Sequence, residues 1–149
     1  MKKGILFLFA LMIIIISIAF AKYSNYISKK RELQRFNDQF TQYENKDVSG
    51  VELTSIINNA IDNNEKNHIS KDKDGFYIEN NTNSIKIDIK MIDIDSTYKM
   101  ETIYNGGMAN FVQYYNSIYF ECKEIKFNNQ GRVNYLFFIQ KNTWFLNSF

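Results

Sequence analysis

Hydrophobic positions along this chain are continuous near the N-terminus, then recur every three or four residues, and later alternate with polar ones. Residues 5–21 are 17 consecutive residues without a charge. A helix of that length spans about 25 Å, close to the roughly 30 Å hydrocarbon layer of a bilayer. Lys2 and Lys3 before the run and Lys22 after it can extend to the headgroups. The pattern predicts a transmembrane anchor over residues 1–22.

A cleaved signal peptide is the alternative interpretation of the same run. Ala19-Phe20-Ala21 has the small-x-small form that a signal peptidase cuts, and no cysteine follows it to carry a lipid. The length of the run favours the uncleaved anchor. A cytoplasmic N-terminus, with an exported C-terminal part, is favoured by Lys2, Lys3 and the short leading tail. Basic residues after the run favour the opposite orientation: Lys22, Lys29, Lys30, Arg31 and Arg35.

Helical spacing continues beyond the apolar run. Tyr26, Leu33, Phe36, Phe40 and Tyr43 recur at intervals that place most of them on one side of a helix. We therefore expect the membrane helix to continue as an amphipathic helix to about residue 42. Its apolar side is expected to pack on the domain that follows. The alternative is that residues 26–43 bind a partner protein or a second copy of the chain.

A second helix has a clear start signal. Ser49 and Glu52 form a capping box, and Val48 and Leu53 are spaced as a hydrophobic staple. The Asn63-Asn64 pair is expected to end this helix. Its buried stripe is predicted to consist of Leu53, Ile56, Ile57, Ala60 and Ile61.

Strands are predicted after this helix. Residues 76–79 and 84–94 are expected to form a hairpin through an Asn-rich turn, with alternate residues of the second strand buried. Residues 97–116 are predicted to be helical, although Gly106-Gly107 weakens the pattern. Strands over 118–127 and 132–140 are expected to flank a turn.

The order of these elements predicts an α+β fold. In it, an N-terminal transmembrane helix continues into an amphipathic helix, which packs on a small antiparallel sheet with two further helices. No repeat or linker divides residues 23–149, so we expect one domain there.

Composition and charge exclude several classes of function. The chain carries a formal charge of +2, and residues 23–149 hold 15 basic against 16 acidic groups. That balance gives no field that would hold nucleic acid. With one cysteine and one histidine, the chain can form neither an internal disulfide nor a Cys-rich or multi-His metal site.

Candidate catalytic and metal-binding groups are few. Asp72-Lys73-Asp74-Gly75 resembles part of a calcium loop, but Asn81 stands where the bidentate acid is needed, so a turn is the better interpretation. Cys122 and His68 are the possible thiol–imidazole pair, and Cys122 falls at a buried strand position. The candidate acid–base groups are Glu101, Glu121 and Glu124. No set of residues converges on a reaction, so we expect no catalytic, cofactor-binding or metal-binding residues, no cofactor and no enzyme activity.

Several stretches resemble a group of short bacterial proteins with one N-terminal membrane span. They are Phe36-Asn37 with Tyr43, residues 48–66, residues 100–104 and the hairpin around Cys122 and Arg132-Val133. The resemblance covers most of the chain. It implies a membrane-anchored, exported domain and no particular activity.

The architecture also resembles type IV pilins and pseudopilins, in which a long, half-apolar helix precedes a small sheet. The basic leader ending in Gly4 fits that pattern. Those proteins usually have Glu at the fifth position after the cut, where this chain has Phe9, and Phe or Met at the first, where it has Ile5. The usual pairing of that Glu with a neighbouring subunit therefore has no counterpart here.

Taken together, these patterns predict a single-pass, non-catalytic component of the bacterial envelope that binds a protein, with its domain outside the cytoplasm. The alternatives are a pseudopilin-like subunit of a secretion or pilus machine, and a secreted small enzyme or inhibitor. The C-terminal tail, residues 144–149, carries four large apolar side chains. We expect it to dock on the domain, and a partner or the bilayer surface is the alternative.

Overall fold

The first helix, α1 (Lys2–Thr41), joins the apolar run and the amphipathic stretch into one element. The structure is a computed structural model that describes residues 2–141. Its apolar stretch is long and apolar enough to cross a membrane, and none of that stretch is buried. The end of α1 at Thr41 confirms the predicted length of the helix.

The chain forms two compact units, Met1–Phe36 and Asn37–Phe149. The first unit consists of the helix alone. The last turn of α1 belongs to the second unit, where Phe40 is only 1% exposed. Asn37 fixes this turn, because its side-chain amide donates to the carbonyl of Gly131 at 2.7 Å and its Oδ1 accepts from the amide of Val133 at 2.9 Å. The predicted packing of the amphipathic stretch on the domain therefore holds at Phe40.

Two helices and five strands follow α1 in the described part of the chain. Their bounds are β1 (Asp47–Ser49), α2 (Gly50–Lys66), β2 (Lys86–Met91), β3 (Ser96–Lys99), α3 (Met100–Tyr115), β4 (Tyr119–Phe127) and β5 (Val133–Gln140). The strands form one sheet in the order β1-β4-β5-β2-β3. The predicted α+β class is confirmed.

The sheet is mixed, so the predicted antiparallel pairing holds for every neighbouring pair of strands except β2 with β5. Strands β2 and β5 run parallel, while the other neighbouring pairs are antiparallel. The reason is that two hairpins, β2–β3 and β4–β5, lie side by side after the crossover through α3. Parallel pairing of this kind needs a long connection between the strands, which α3 provides.

The hairpin predicted from residues 76–79 and 84–94 does not form. Tyr77 makes only an isolated bridge with Lys71, and β3 is the antiparallel neighbour of β2. Backbone amides that would pair two strands are bonded to side chains instead. Tyr77 donates its N–H to Glu101, and Asn80 donates its N–H to the hydroxyl of Ser84. The alternation predicted for the second strand is confirmed, because Ile85, Ile87, Ile89 and Met91 are buried.

The capping box predicted at the start of α2 is present. The amide of Ser49 donates to Glu52 Oε2 at 2.8 Å, and the amide of Glu52 donates to Ser49 Oγ at 3.2 Å. The next residue is Gly50, where a Cβ atom would lie 2.0 Å from the carbonyl oxygen of Tyr115. Only glycine therefore allows α2 to begin this close to the end of α3.

The Asn63-Asn64 pair does not end α2, which continues to Lys66. Asn64 is fully buried, and its side-chain amide donates to the carbonyl of Ile85 at 2.8 Å while its Oδ1 accepts from the amide of Ile85 at 2.9 Å. Asn63 donates to the carbonyl of Asn83 and accepts from Arg132. Asparagine is a poor residue for a helix interior, but here its side chain satisfies buried backbone groups.

The predicted helix over 97–116 begins later and is bent. Its first residues form β3, and α3 has a non-helical backbone at Gly107 (φ 94°, ψ 110°). A positive φ of this size is easily adopted by glycine alone. Gly106-Gly107 therefore marks a kink inside α3.

The Asn64→Ala variant is expected to lose about 3 kcal/mol of unfolding free energy, because the N–H and C=O of Ile85 are left buried without partners. The matched control is Asn58→Ala on the exposed side of α2, which we expect to change stability little. Urea unfolding of the full chain in detergent, followed by circular dichroism, measures both. Equal midpoints for the two variants would contradict the role of Asn64.

The Ser49→Ala variant is expected to cost about 1 kcal/mol through loss of the cap. The amide and hydroxyl of Ser49 hold the pKa of Glu52 below its usual range. The stability that ionised Glu52 adds through these bonds is present above the ordinary pKa of a glutamate. It is lost as the pH falls through the lowered pKa of Glu52. The loss of unfolding free energy in Ser49→Ala should therefore be smaller in acid than at neutral pH. The control Ser55→Ala removes only an exposed hydrogen bond to the carbonyl of Val51 within α2, and it should have little effect at either pH.

Candidate functional site

A polar cleft of about 420 Å³ lies between the loop of residues 72–79, strands β2 and β3 and the start of α3. We call it the acidic cleft. Four carboxylates and two lysines contribute to its wall, so its field favours a cationic ligand over an anionic one. The lining residues are Asp72, Phe76, Tyr77, Ile78, Glu79, Lys86, Ile87, Asp88, Lys99 and Glu101.

Glu101, one of the predicted acid–base candidates, lies in this cleft on the first turn of α3. Its side chain is 4% exposed, and Oε1 accepts a hydrogen bond from the amide of Tyr77 at 2.9 Å. The carboxylate therefore ties the loop before β2 to α3. Burial of a carboxylate is tolerated when it is hydrogen-bonded in this way.

Asp72 and Asp88, two other carboxylates of the acidic cleft, also accept hydrogen bonds from neighbouring residues. Asp72 Oδ1 accepts from the amides of Asp74 and Phe76 at 3.0 and 2.9 Å, which confirms the turn predicted over residues 72–75. The hydroxyl of Tyr135 donates to Asp88 at 3.1 Å. These bonds give Asp72 and Asp88 structural roles in the turn and beside β5.

The two lysines of the cleft are engaged as well. Lys86 pairs with Glu79 at 3.4 Å, and the ammonium of Lys99 lies 3.9 Å from the centre of the Phe76 ring. No serine, cysteine or histidine is among the described residues that line the cleft. The arrangement can attract and hold a ligand, and its described lining places no serine or cysteine beside a histidine.

Cys122 and His68 lie in different surroundings. Cys122 is fully buried on β4, where it pairs in register with Phe138, whereas His68 is exposed just after α2. Burial raises the pKa of the Cys122 thiol to about 11, so the thiol is protonated at neutral pH. The prediction of a buried strand position for Cys122 is confirmed.

Glu121 and Glu124 are surface residues of β4. Each pairs with a lysine two positions further along the chain, Lys123 at 2.7 Å and Lys126 at 3.3 Å. Of the three predicted acid–base candidates, Glu101 therefore lies in the acidic cleft, whereas Glu121 and Glu124 form ion pairs with lysines on β4. In the described part of the chain, no group of three His, Cys, Asp or Glu side chains could hold a metal ion.

A second concavity, of about 230 Å³, lies where α3 is kinked. We call it the aromatic groove, and it carries no charged side chain among its described lining. Its lining residues are Met91, Tyr98, Thr102, Ile103, Gly106, Gly107, Asn110, Phe111, Tyr114 and Tyr115. Sequence reasoning missed this groove, because it predicted a helix over residues 97–116 without a bend. The Gly106-Gly107 pair was the signal that could have revealed it.

Rings pack closely at one end of the aromatic groove. Phe111 stacks on Tyr115 at 4.8 Å between ring centres, and Phe120 of β4 lies 5.9 Å from Phe111 and 6.2 Å from Tyr115. By contrast, Tyr114 is 73% exposed at the rim. The groove therefore has stacked aromatic rings at its base and the exposed ring of Tyr114 at its rim. These surfaces suit an apolar or aromatic ligand.

Comparison of the chain with protein-family models, with curated proteins and with solved structures finds no match. What the structure itself defines is a class of architecture: an α+β unit that follows a helix of membrane-spanning length.

Native Cys122 is expected to resist alkylation by iodoacetamide at pH 8, because its thiol is both buried and protonated. The same chain in concentrated urea should be labelled rapidly. Since the chain contains one cysteine, intact mass reports the labelled fraction without ambiguity. Rapid labelling of the native protein would contradict the assignment of Cys122 to the core.

Proposed function

We propose that the protein is a single-pass membrane protein of the bacterial envelope, whose α+β unit lies outside the cytoplasm and binds another protein without catalysis. The observation that carries this proposal is the apolar part of α1. It is long enough to cross a bilayer, and none of it is buried against the described residues. An apolar surface of this extent is stable in water only when something covers it, and a bilayer covers all sides of one helix.

The covalent continuity of α1 supports an anchoring role. The helix runs without a break from Lys2 to Thr41, and its last turn contributes Phe40 to the core of the second unit. The apolar stretch and the first residues of the α+β unit therefore belong to one helix.

Protein binding is supported by the middle part of α1. Of the stretch predicted to meet a partner, residues 26–43, Phe40 belongs to the core, and Leu33 and Phe36 are half-buried. Tyr26 is 62% exposed, and Tyr23 is similarly exposed. Tyrosine and arginine are enriched at protein interfaces, which favours Tyr26, Arg31 and Arg35 as contacts. The basic residues of this stretch, Lys29, Lys30, Arg31 and Arg35, also suit anionic headgroups.

The absence of catalysis in this proposal is supported by the acidic cleft and Cys122. The acidic side chains described above are hydrogen-bonded to the fold or paired with lysine, and the thiol is buried. A binding role needs no such reactive groups.

Two other functions make different predictions about processing. A pseudopilin-like subunit would be cut after Gly4, because a prepilin peptidase removes the short basic leader. A secreted enzyme or inhibitor would be cut after Ala21 and released. An anchored protein would keep its full length.

The first experiment is intact mass spectrometry of the protein from separated membrane and medium fractions. We expect the full-length chain in the membrane, resistant to extraction at alkaline pH. The matched control is a variant carrying Ile14→Lys and Ile16→Lys, which should no longer be retained, because charge in the middle of a span is costly. Loss of residues 1–21 with release to the medium would overturn the anchor.

Orientation and partner are tested on the same cells. Protease added to spheroplasts should degrade the α+β unit if it lies outside the cytoplasm, and protection in intact spheroplasts would overturn that orientation. A photoreactive residue in place of Tyr26 should cross-link a protein, whereas the same residue in place of Asn58, on the exposed side of α2, should not.

A further inference from the structure

The acidic cleft contains a buried carboxylate that the described fold satisfies only in part. Glu101 is 4% exposed and lines the cleft, and its Oε1 accepts a hydrogen bond from the amide of Tyr77 at 2.9 Å. Its Oε2 accepts no hydrogen bond from any described residue, and within residues 2–141 Glu101 forms no ion pair. Buried charges in proteins are normally paired, and a carboxylate can accept several hydrogen bonds. The second oxygen of Glu101 therefore lacks a cationic donor.

The lysines of the cleft do not supply that donor. Lys86 is paired with Glu79 at 3.4 Å, and the ammonium of Lys99 lies over the ring of Phe76. Four carboxylates against two lysines leave the lining with two negative charges in excess. The cleft is therefore matched in charge to a ligand that carries two positive charges.

The rest of the lining favours an organic cation over a bare metal ion. Phe76, Ile78 and Ile87 give the cleft an apolar part, and its volume of about 420 Å³ lies in the range of small-molecule sites. In the described part of the chain, no three His, Cys, Asp or Glu side chains are placed to hold a metal ion. The ring of Phe76 already lies 3.9 Å from one ammonium group, that of Lys99. An aliphatic amine combines the charge and the apolar body that this lining accepts.

We propose that the acidic cleft binds a small aliphatic diamine. One ammonium group donates to Glu101 Oε2, and the methylene groups lie against Phe76 and Ile78. The other ammonium group donates to Asp88, whose Oδ2 accepts from the hydroxyl of Tyr135. Both ammonium groups are charged at neutral pH, as a lysine side chain is. This site depends neither on the membrane anchor nor on a protein partner, and the tail of residues 144–149 lies outside the described residues on which it rests.

The probe is 1,4-diaminobutane, titrated into the full chain in a non-ionic detergent and followed by isothermal titration calorimetry. We expect one saturable site per chain. The matched control is 1,4-butanediol, which has the same length without charge and should give no binding heat. Magnesium chloride tests for unspecific attraction to the acidic lining, and it should neither bind to the cleft nor displace the diamine.

The variant Glu101→Gln removes the charge and keeps an oxygen that can accept from the amide of Tyr77. It should raise the dissociation constant of the diamine at least about tenfold, because a hydrogen bond to a charged group is lost. The matched control is Glu121→Gln, which removes a carboxylate paired with Lys123 outside the described lining of the cleft and should leave the affinity unchanged. Circular dichroism shows whether Glu101→Gln is folded. If it is not, Asp88→Asn serves as the test and should weaken binding in the same way.

Four results would overturn the proposal. The unaltered chain could show no saturable binding of the diamine. A folded Glu101→Gln or Asp88→Asn variant could bind the diamine as tightly as the unaltered chain. Magnesium could compete with the diamine, which would reduce the site to unspecific attraction. A tripeptide with lysine between two glycines and blocked ends could bind as tightly, which would assign the cleft to a lysine side chain of another protein.

Discussion

The hydrogen bonds between Asn64 and Ile85 are the interaction on which the α+β unit depends. A primary amide has the same donor and acceptor as a peptide group, so the side chain of Asn64 pairs with one residue of the backbone as a neighbouring strand would. The contact lies just before β2 and holds it against α2. A slip of one residue there would turn Ile87 and Ile89 toward solvent, because side chains alternate across a sheet.

Polar side chains connect separate segments of this unit through hydrogen bonds. Asn63 connects α2 to the loop before β2 and to Arg132, while Asn37 connects the end of α1 to β5. Glu101 holds the loop at Tyr77 against α3. Each of these side chains bonds a backbone amide or carbonyl of another segment, so Asn63 and Glu101, which suggested a turn and a catalytic site, belong to the framework of the fold.

Two glycines decide how α3 relates to its neighbours. Gly50 lets the start of α2 approach the carbonyl of Tyr115, and Gly107 bends α3. The bend converts an apolar stripe into a groove with exposed rings at its rim. Glycine has no Cβ atom, which permits both the close approach at Gly50 and the positive φ at Gly107. A local property of two residues thus determines how the helices pack.

The sequence by itself determined the features that depend on neighbouring residues: the continuous helix α1, the capping box at Ser49, the alternation of Ile85 to Met91 and the buried position of Cys122. Tertiary structure alone decided the parallel pairing of β2 with β5, the strand partner of β2, the roles of Asn64 and Glu101, and both concavities. The physical reason is distance along the chain. Periodicity and capping act within one or two turns, whereas Asn64 meets Ile85 across 21 positions and Glu101 meets Tyr77 across 24, and such contacts form only when the elements have packed.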